Sequence, residues 1–356
     1  MTTAAPPVAR TVNDFAPDWL TAALRDAGRL GRARVVSVDA QPIGTGQMSR
    51  VLRLTPTYDT PEPNAPTSLI AKLASDDAGA RAAGNAMGFY EAEVRFYREI
   101  APRVDAATPA CIAASIDLDD GAFTLLLEDR PHLRVGDMIA GGTVNEATAA
   151  LAELAKLQAP IWNDPQLATA DWLSPARWRA FSATFPTALE PFLTRFGDAL
   201  TAEEVAACER ILPRAVTWLD EWSGPVVVQH GDYRLDNMLF DEGPPTKVVV
   251  FDWQTARVGP PLVDAGFYLG GCLSTDDRRE HEMALLRDYH DRLVAAGVSR
   301  YSWDDCRRDY ARYAAYGMLG FVGSFIHVEV TPRGEDLYLG AFRRYARQVI
   351  DLEGTA

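Results

Sequence analysis

Apolar and polar residues alternate along Arg50-Val51-Leu52-Arg53-Leu54, the period-two pattern of a strand with one buried face. Residues 34–43, with Val36, Val38 and Ile43, predict a strand just before it. The intervening Gly44-Thr45-Gly46-Gln47-Met48-Ser49 then lies in a β-hairpin. Residues 68–73, 110–116 and 123–128 are further short apolar runs that read as strands, the last two joined through Asp119-Asp120-Gly121. Pro61, Pro63 and Pro66 make 59–67 a loop. Two helices belong to this half. One starts at Pro17, suited to a first helical position, and stops before Gly28. The other covers 86–100, where Phe89, Glu93, Phe96, Tyr97 and Ile100 recur at three- and four-residue spacings.

Beyond about residue 130 the period changes. Residues 146–157, 203–222, 278–295, 304–325 and 334–352 all predict helices. The exception is 225–252, with two short apolar runs, Val226-Val227-Val228 and Val248-Val249-Val250-Phe251. The expected fold class is α+β: a small β-rich N-terminal lobe over 1–130 and a larger, mainly helical lobe over 131–356.

Composition narrows the function. With 47% apolar and 24% charged residues the chain is an ordinary globular protein. The 35 basic and 49 acidic residues leave −14, which disfavours nucleic acid and anionic membrane surfaces as partners. Cys111, Cys208, Cys272 and Cys306 are scattered without CxxC spacing, so neither a zinc site nor a disulfide framework is expected. The five histidines show no HxH or HExxH spacing, which argues against metal-dependent hydrolysis. The first ten residues lack an apolar signal segment, and the apolar stretch 314–328 is short for a membrane span and contains His327. A cytoplasmic protein without membrane insertion is expected.

The chemistry concentrates in Gln229-His230-Gly231-Asp232-Tyr233-Arg234-Leu235-Asp236-Asn237. Asn237 follows Asp232 by five residues, and Asp252 closes a Val-rich run fifteen residues later. Phosphoryl transfer needs such parts: a carboxylate to take the proton of an attacking hydroxyl, and a carboxamide and second carboxylate for Mg²⁺. Arg234 is read equally as a phosphate contact or a solvated charge. The hairpin glycines Gly44 and Gly46 suit a flap over phosphates. Ser49 stands at the third glycine position of a dinucleotide motif, and a strand follows where that motif needs a helix. Only three basic residues are lysines, Lys72, Lys156 and Lys247, so Lys72 inside an apolar strand stands out. A buried ammonium needs a carboxylate. Glu93, among Phe89, Phe96 and Tyr97, is preferred over Glu91. Tyr310, Tyr313, Tyr316, Phe321 and Phe325 read as an aromatic series on one late helix, and Trp162, Trp172 and Trp178 as a packed or lid-forming segment.

Together these segments resemble the protein-kinase-like phosphotransferases, and His230-Gly231-Asp232 with Asp252-Trp253-Gln254 resembles the aminoglycoside phosphotransferase and choline kinase group. Glu93-Val94-Arg95-Phe96-Tyr97, Leu126-Leu127-Glu128-Asp129 and Pro261-Leu262-Val263-Asp264 resemble its ecdysteroid-kinase-like branch. The resemblance spans roughly residues 35–350 and implies a bilobal kinase-like fold. It implies that Lys72 binds nucleotide phosphates and pairs with Glu93, and that Glu128, Asp129 and Arg130 form the hinge beside adenine. It implies that Asp232 is the catalytic base and that Asn237 and Asp252 hold Mg²⁺. His230 would brace the catalytic loop, and Asp264 would be a structural carboxylate at a helix start. The implied activity is transfer of the γ-phosphoryl of ATP to a hydroxyl of a small acceptor. An aminoglycoside-type antibiotic phosphotransferase and a nucleotide-binding pseudoenzyme are the alternatives.

Overall fold

The computed structural model describes residues 6–44, 48–217, 222, 224–241, 243–327 and 332–353. The chain forms two compact units. Unit 1 comprises Met1–Arg103, Thr108–His132 and Asp252–Thr255, and unit 2 comprises Val104–Ala107, Leu133–Phe251 and Ala256–Ala356. A single boundary in the chain does not express this division, because the four residues from Asp252 return to unit 1.

Unit 1 is built on a five-stranded antiparallel sheet of order β1-β2-β3-β5-β4. The strands are β1 (Val35–Pro42), β2 (Ser49–Tyr58), β3 (Leu69–Ala74), β4 (Cys111–Ile116) and β5 (Phe123–Glu128). One face carries Leu52, Leu54, Leu69, Ala71, Leu73 and Leu126, which pack with Leu20 and Leu24 of helix α1 (Pro17–Asp26). Side chains alternate across a strand, so Lys72 points to the opposite face, as does its cross-strand partner Leu125.

The helix expected over 86–100 is broken into three pieces. Helix α2 (Ala78–Met87) precedes it, Gly88 breaks the path at φ 73°, and helix α3 (Phe89–Arg95) follows. A π-helical turn over Phe96–Ile100 completes the segment. No apolar period announces α2, because its sequence is mostly alanine and glycine and Gly84 is its one buried residue. It is instead started by Asp77, whose side chain accepts from the Ala80 N–H at 2.7 Å.

Unit 2 is mainly helical. In chain order its helices are α4 (Val144–Gln158), α5 (Pro165–Ala168), α6 (Ala176–Ser182), α7 (Leu189–Phe196), α8 (Ala202–Ile211) and α9 (Leu262–Cys272). They continue with α10 (Thr275–Ala295), α11 (Trp303–Tyr313), α12 (Tyr316–Ser324) and α13 (Pro332–Glu353). Two expectations need correction. The helix expected to reach 222 gives way after Ile211 to a 3-10 turn containing Pro213, and 218–221 and 223 lie outside the described residues. The segment 304–325 is two helices, so Tyr310 and Tyr313 lie on α11 while Tyr316 and Phe321 lie on α12, with Phe325 in a following turn. Helix α9 has no amphipathic period to find, because all its residues are buried.

The strands of unit 2 frame one loop. Strand β7 (Val227–Gln229) pairs antiparallel with β10 (Arg257–Gly259). Strand β8 (Met238–Asp241) lies between β6 (Arg134–Val135) and β9 (Lys247–Val250). The loop from His230 to Asn237 therefore runs from the end of β7 to the start of β8. The four cysteines are free thiols, and no described helix is long and apolar enough to cross a membrane.

Gly136, whose N–H donates to the Met238 carbonyl at 3.0 Å, lies hard against this loop. A Cβ at this position would collide with the backbone carbonyl of Leu235. Gly136→Ala is expected to cost about 1–3 kcal/mol by overpacking. A lowered urea midpoint with unchanged slope would bear this out, and an unchanged midpoint would refute it.

Candidate active site

In unit 1, Lys72 is 7% exposed and its Nζ lies 2.7 Å from the Glu93 carboxylate and 2.7 Å from Asp252 Oδ1. Glu93 also accepts from the Trp253 backbone N–H. Glu91, the competing choice, instead pairs with Arg95 at 3.3 Å on its own helix. Burial alone would discharge Lys72, but Asp252 and Glu93 together hold its pKa above the ordinary lysine value. Burial pushes the Glu93 carboxyl upward, opposed by the Lys72 charge. One ammonium thus faces two carboxylates.

The backbone supports this ion triad. Asp252 adopts the left-handed region at φ 67°, a conformation uncommon for non-glycine residues, though aspartate is among those that enter it most readily. The Trp253 ring stacks on Phe96 with centroids 3.7 Å apart and planes at 5°. Phe96 opens the π-helical turn that follows α3, so the irregularity carries the ring that covers the residue after Asp252. The Tyr97 hydroxyl is buried without a hydrogen-bond partner among the described residues.

The other unit 1 candidates lie on the same sheet. Gly44 sits in the turn after β1 with φ 74°, and Ser49 opens β2 opposite Ala74. Gly46 lies outside the described residues. The Tyr90 hydroxyl donates to the Met48 carbonyl at 2.6 Å and fixes the exit of that turn. At the end of β5, Glu128 pairs with Arg130 at 2.9 Å and Asp129 with Arg53 at 2.7 Å.

In unit 2 a buried carboxylate organises the loop. Asp264, fully buried on α9, accepts the His230 N–H at 2.7 Å and the Gly231 N–H at 2.9 Å. Burial pushes its carboxyl up, while His230 and the two N–H groups pull it down. His230 Nε2 lies 2.9 Å from the Phe251 carbonyl, and its Nδ1 accepts from the Asp232 N–H at 3.3 Å. Both contacts are met by the tautomer protonated at Nε2. Gly231 takes φ 82°, which turns the chain toward Asp232.

The Asp232 carboxylate accepts from Asn237 Nδ2 at 2.9 Å and from Arg234 Nε at 3.2 Å. Asn237 Nδ2 also donates to the Asp232 carbonyl at 2.9 Å, so the five-residue spacing closes a small ring. Arg234 also reaches Asp236 at 3.4 Å. The Asp232 side chain is 30% exposed, so it is both oriented and accessible.

The sequence pattern of the phosphotransferase enzyme family matches residues 40–316. This chain belongs to the phosphotransferase enzyme family. Solved structures share the fold at low identity. Choline kinase from Cryptosporidium parvum Iowa II superposes with a TM-score of 0.56 at 9% identity, over 89% of this chain and 90% of that one. A GDP complex of an aminoglycoside 2'-phosphotransferase-IIIa mutant gives 0.54 at 11%, over 95% and 98%. A microcompartment-associated aminopropanol kinase gives 0.53 at 14%, over 94% and 96%. No curated protein matches the sequence. The bilobal α+β plan expected from the motifs is the fold these neighbours share.

The ion triad of this phosphotransferase sets a pH-dependent stability. A carboxyl raised on folding holds its proton better in the folded chain, so its contribution makes stability fall as pH rises above the unfolded value. Removing Lys72 takes away the ammonium that opposes the rise at Glu93. Lys72→Met is expected to lose about 3–5 kcal/mol at about pH 8 and to regain part of it at about pH 5. Urea unfolding at both values tests it; equal losses would show that the carboxylates do not titrate with folding.

Proposed function

We propose that this phosphotransferase is a small-molecule kinase that transfers the γ-phosphoryl of ATP to a hydroxyl of a small acceptor. The observation that carries the reading is Asp232, an accessible carboxylate oriented by Asn237 on a backbone held by Asp264. The set Lys72, Glu93, Asp232, Asn237 and Asp252 is complete, which favours an active enzyme over a nucleotide-binding pseudoenzyme.

In this reading Asp232 accepts the hydroxyl proton as the acceptor oxygen attacks the γ-phosphorus. The bond from that phosphorus to the β–γ bridging oxygen breaks, and ADP leaves with the electron pair. Lys72 binds the α- and β-phosphates, and Glu93 keeps the ammonium in position. Gly44, Gly46 and Ser49 belong to the flap over the phosphates. Glu128, Asp129 and Arg130 supply the hinge beside the base.

The donor set suits Mg²⁺. This ion takes hard oxygens and is typically held by one or two protein carboxylates plus phosphates, not by an all-protein cage. Asn237 Oδ1 and the Asp252 carboxylate are such oxygens. No cluster of three or more His, Cys, Asp or Glu able to hold a metal occurs among the described residues. Bound Mg²⁺ would neutralise charge on the transferring phosphates.

The acceptor panel follows from the neighbours and the motifs: aminoglycosides, amino alcohols such as choline, and the apolar alcohols that the ecdysteroid-kinase-like resemblance suggests. Because one neighbour is a GDP complex, GTP belongs beside ATP.

Thermal melting with MgATP or MgGTP is the direct test. A ligand at 100 times its Kd adds about 2.7 kcal/mol, a shift of several degrees. The wild type is expected to show a Mg-dependent rise that Asp252→Ala abolishes. With an acceptor in hand, Asp232→Asn is expected to lower kcat about 10²–10⁴-fold. No rise with either nucleotide, or full turnover by Asp232→Asn, would overturn the proposal.

A further inference from the structure

Tyr316 reads in the sequence as one of a late aromatic series and Trp178 as part of a packed or lid-forming segment, and both belong to a network in unit 2 that reaches the backbone of the His230–Asn237 loop. The Tyr316 hydroxyl donates to the Gly231 carbonyl at 2.9 Å. The same oxygen accepts from Arg257 Nη2 at 2.8 Å. The Arg257 guanidinium lies 4.4 Å from the Trp178 ring centroid and 5.5 Å from that of Tyr316. Arg257 is 5% exposed and Tyr316 3%, whereas Trp178 on α6 is half-buried.

The bond that Tyr316 makes is well chosen. The Gly231 carbonyl is the oxygen of the peptide that joins Gly231 to Asp232. The N–H of that same peptide donates to His230 Nδ1. The peptide before it is held through its N–H by Asp264. Hence the unit that carries Asp232 is gripped at its oxygen by Tyr316 and at its nitrogen by His230. A cation that donates to a hydroxyl polarises it, and this strengthens the hydroxyl as a donor in a low-dielectric interior. Arg257 is itself set across from Gln229 by the β7–β10 register, three residues before Asp232. The Trp178 ring lies over the guanidinium, adding cation–π attraction and helping to keep water from it.

We infer that Trp178, Arg257 and Tyr316 form a positioning relay that fixes the Gly231–Asp232 peptide and hence the direction of the Asp232 carboxylate. The inference rests on the proposed role of Asp232 as base. None of the three is a catalytic residue; each acts through the next. Because Trp178 is half-exposed on α6, the relay also gives that helix a route to the base: moving the indole uncovers Arg257 and weakens the grip on the loop.

Hydrogen exchange of the segment 228–236, together with steady-state kinetics, tests this. Tyr316→Phe removes the hydroxyl alone. It is expected to speed exchange in that segment about tenfold, the factor for one buried hydrogen bond. Turnover is expected to fall by a similar factor with KM for nucleotide unchanged. Trp178→Leu, at a half-exposed site, is expected to loosen the same segment to a smaller degree, and Trp178→Phe to restore it. Tyr301→Phe is the control, since its hydroxyl serves Asp309 at 3.0 Å and not the loop. Unchanged exchange in 228–236 in Tyr316→Phe, or equal loosening in Tyr301→Phe, would overturn the relay. A wild type that transfers phosphate to no acceptor would instead overturn the proposed function, and the exchange measurement, which needs no substrate, would still decide the relay.

Discussion

A lysine ammonium cannot be buried alone, and the architecture of unit 1 answers to that constraint at Lys72. The pleat of β3 sends Ala71 and Leu73 into the apolar core shared with α1, and so sends Lys72 to the other face. Helix α3 must then offer Glu93 inward, which its aromatic neighbours make possible, since Tyr90, Phe96 and Tyr97 are all buried. A single carboxylate would neutralise the ammonium. Here there are two, and the second, Asp252, comes from far along the chain and brings residues 252–255 into unit 1. The left-handed backbone at Asp252 and the stack of Trp253 on Phe96 follow from holding that carboxylate where Lys72 needs it. Burial holds the Glu93 carboxyl above its ordinary range, while Asp252 stays partly open to solvent beside the ammonium.

Unit 2 solves a different problem, that of holding the loop that carries the accessible Asp232 carboxylate. A loop has no ladder to satisfy its peptide groups, so each needs a partner of its own. Asp264 takes two N–H groups, His230 Nδ1 takes the next, and the Tyr316 hydroxyl donates to the Gly231 carbonyl. Asn237 then ties the side chain of Asp232 to its own backbone oxygen. Every bond goes to a group that is itself buried or packed, so the freedom of the loop is removed before substrate arrives. In the proposed reaction, such pre-organisation would lower the reorganisation needed during transfer.

Much of the site was legible because its residues break the patterns around them. Lys72 interrupts an apolar strand in a chain that otherwise uses arginine, and Glu93 interrupts a run of aromatics. The Asp232-to-Asn237 spacing is a local ring that a sequence displays directly. What stayed hidden depends on long-range pairing. Arg257 and Tyr316 are 59 residues apart, and Tyr316 is 85 residues from the carbonyl it serves, with no motif marking either. Periodicity does not mark α9, because burial on every side erases it and only the resemblance implies a helix start at Asp264, nor α2, because alanine and glycine supply none. The aromatic series reads as one helix because 304–325 is apolar or amphipathic throughout; the break at Ala314 and Ala315 involves neither proline nor glycine.

The buried charges also bear on why the chain is built this way. Well-packed apolar residues usually match or exceed a buried ion pair in stability, so Lys72, Glu93, Asp264 and Arg257 are not explained as contributions to folding alone. Each instead fixes a group whose direction matters more than its energy: the ammonium, a backbone turn, or a tyrosine hydroxyl. Lys72 and Glu93 fall within unit 1, and Asp264 and Arg257 within unit 2. Rigidity is therefore local. A mutation that loosens one anchor should act first on the group it aims and only then on the fold, which is the behaviour expected of a site whose polar network was selected for geometry.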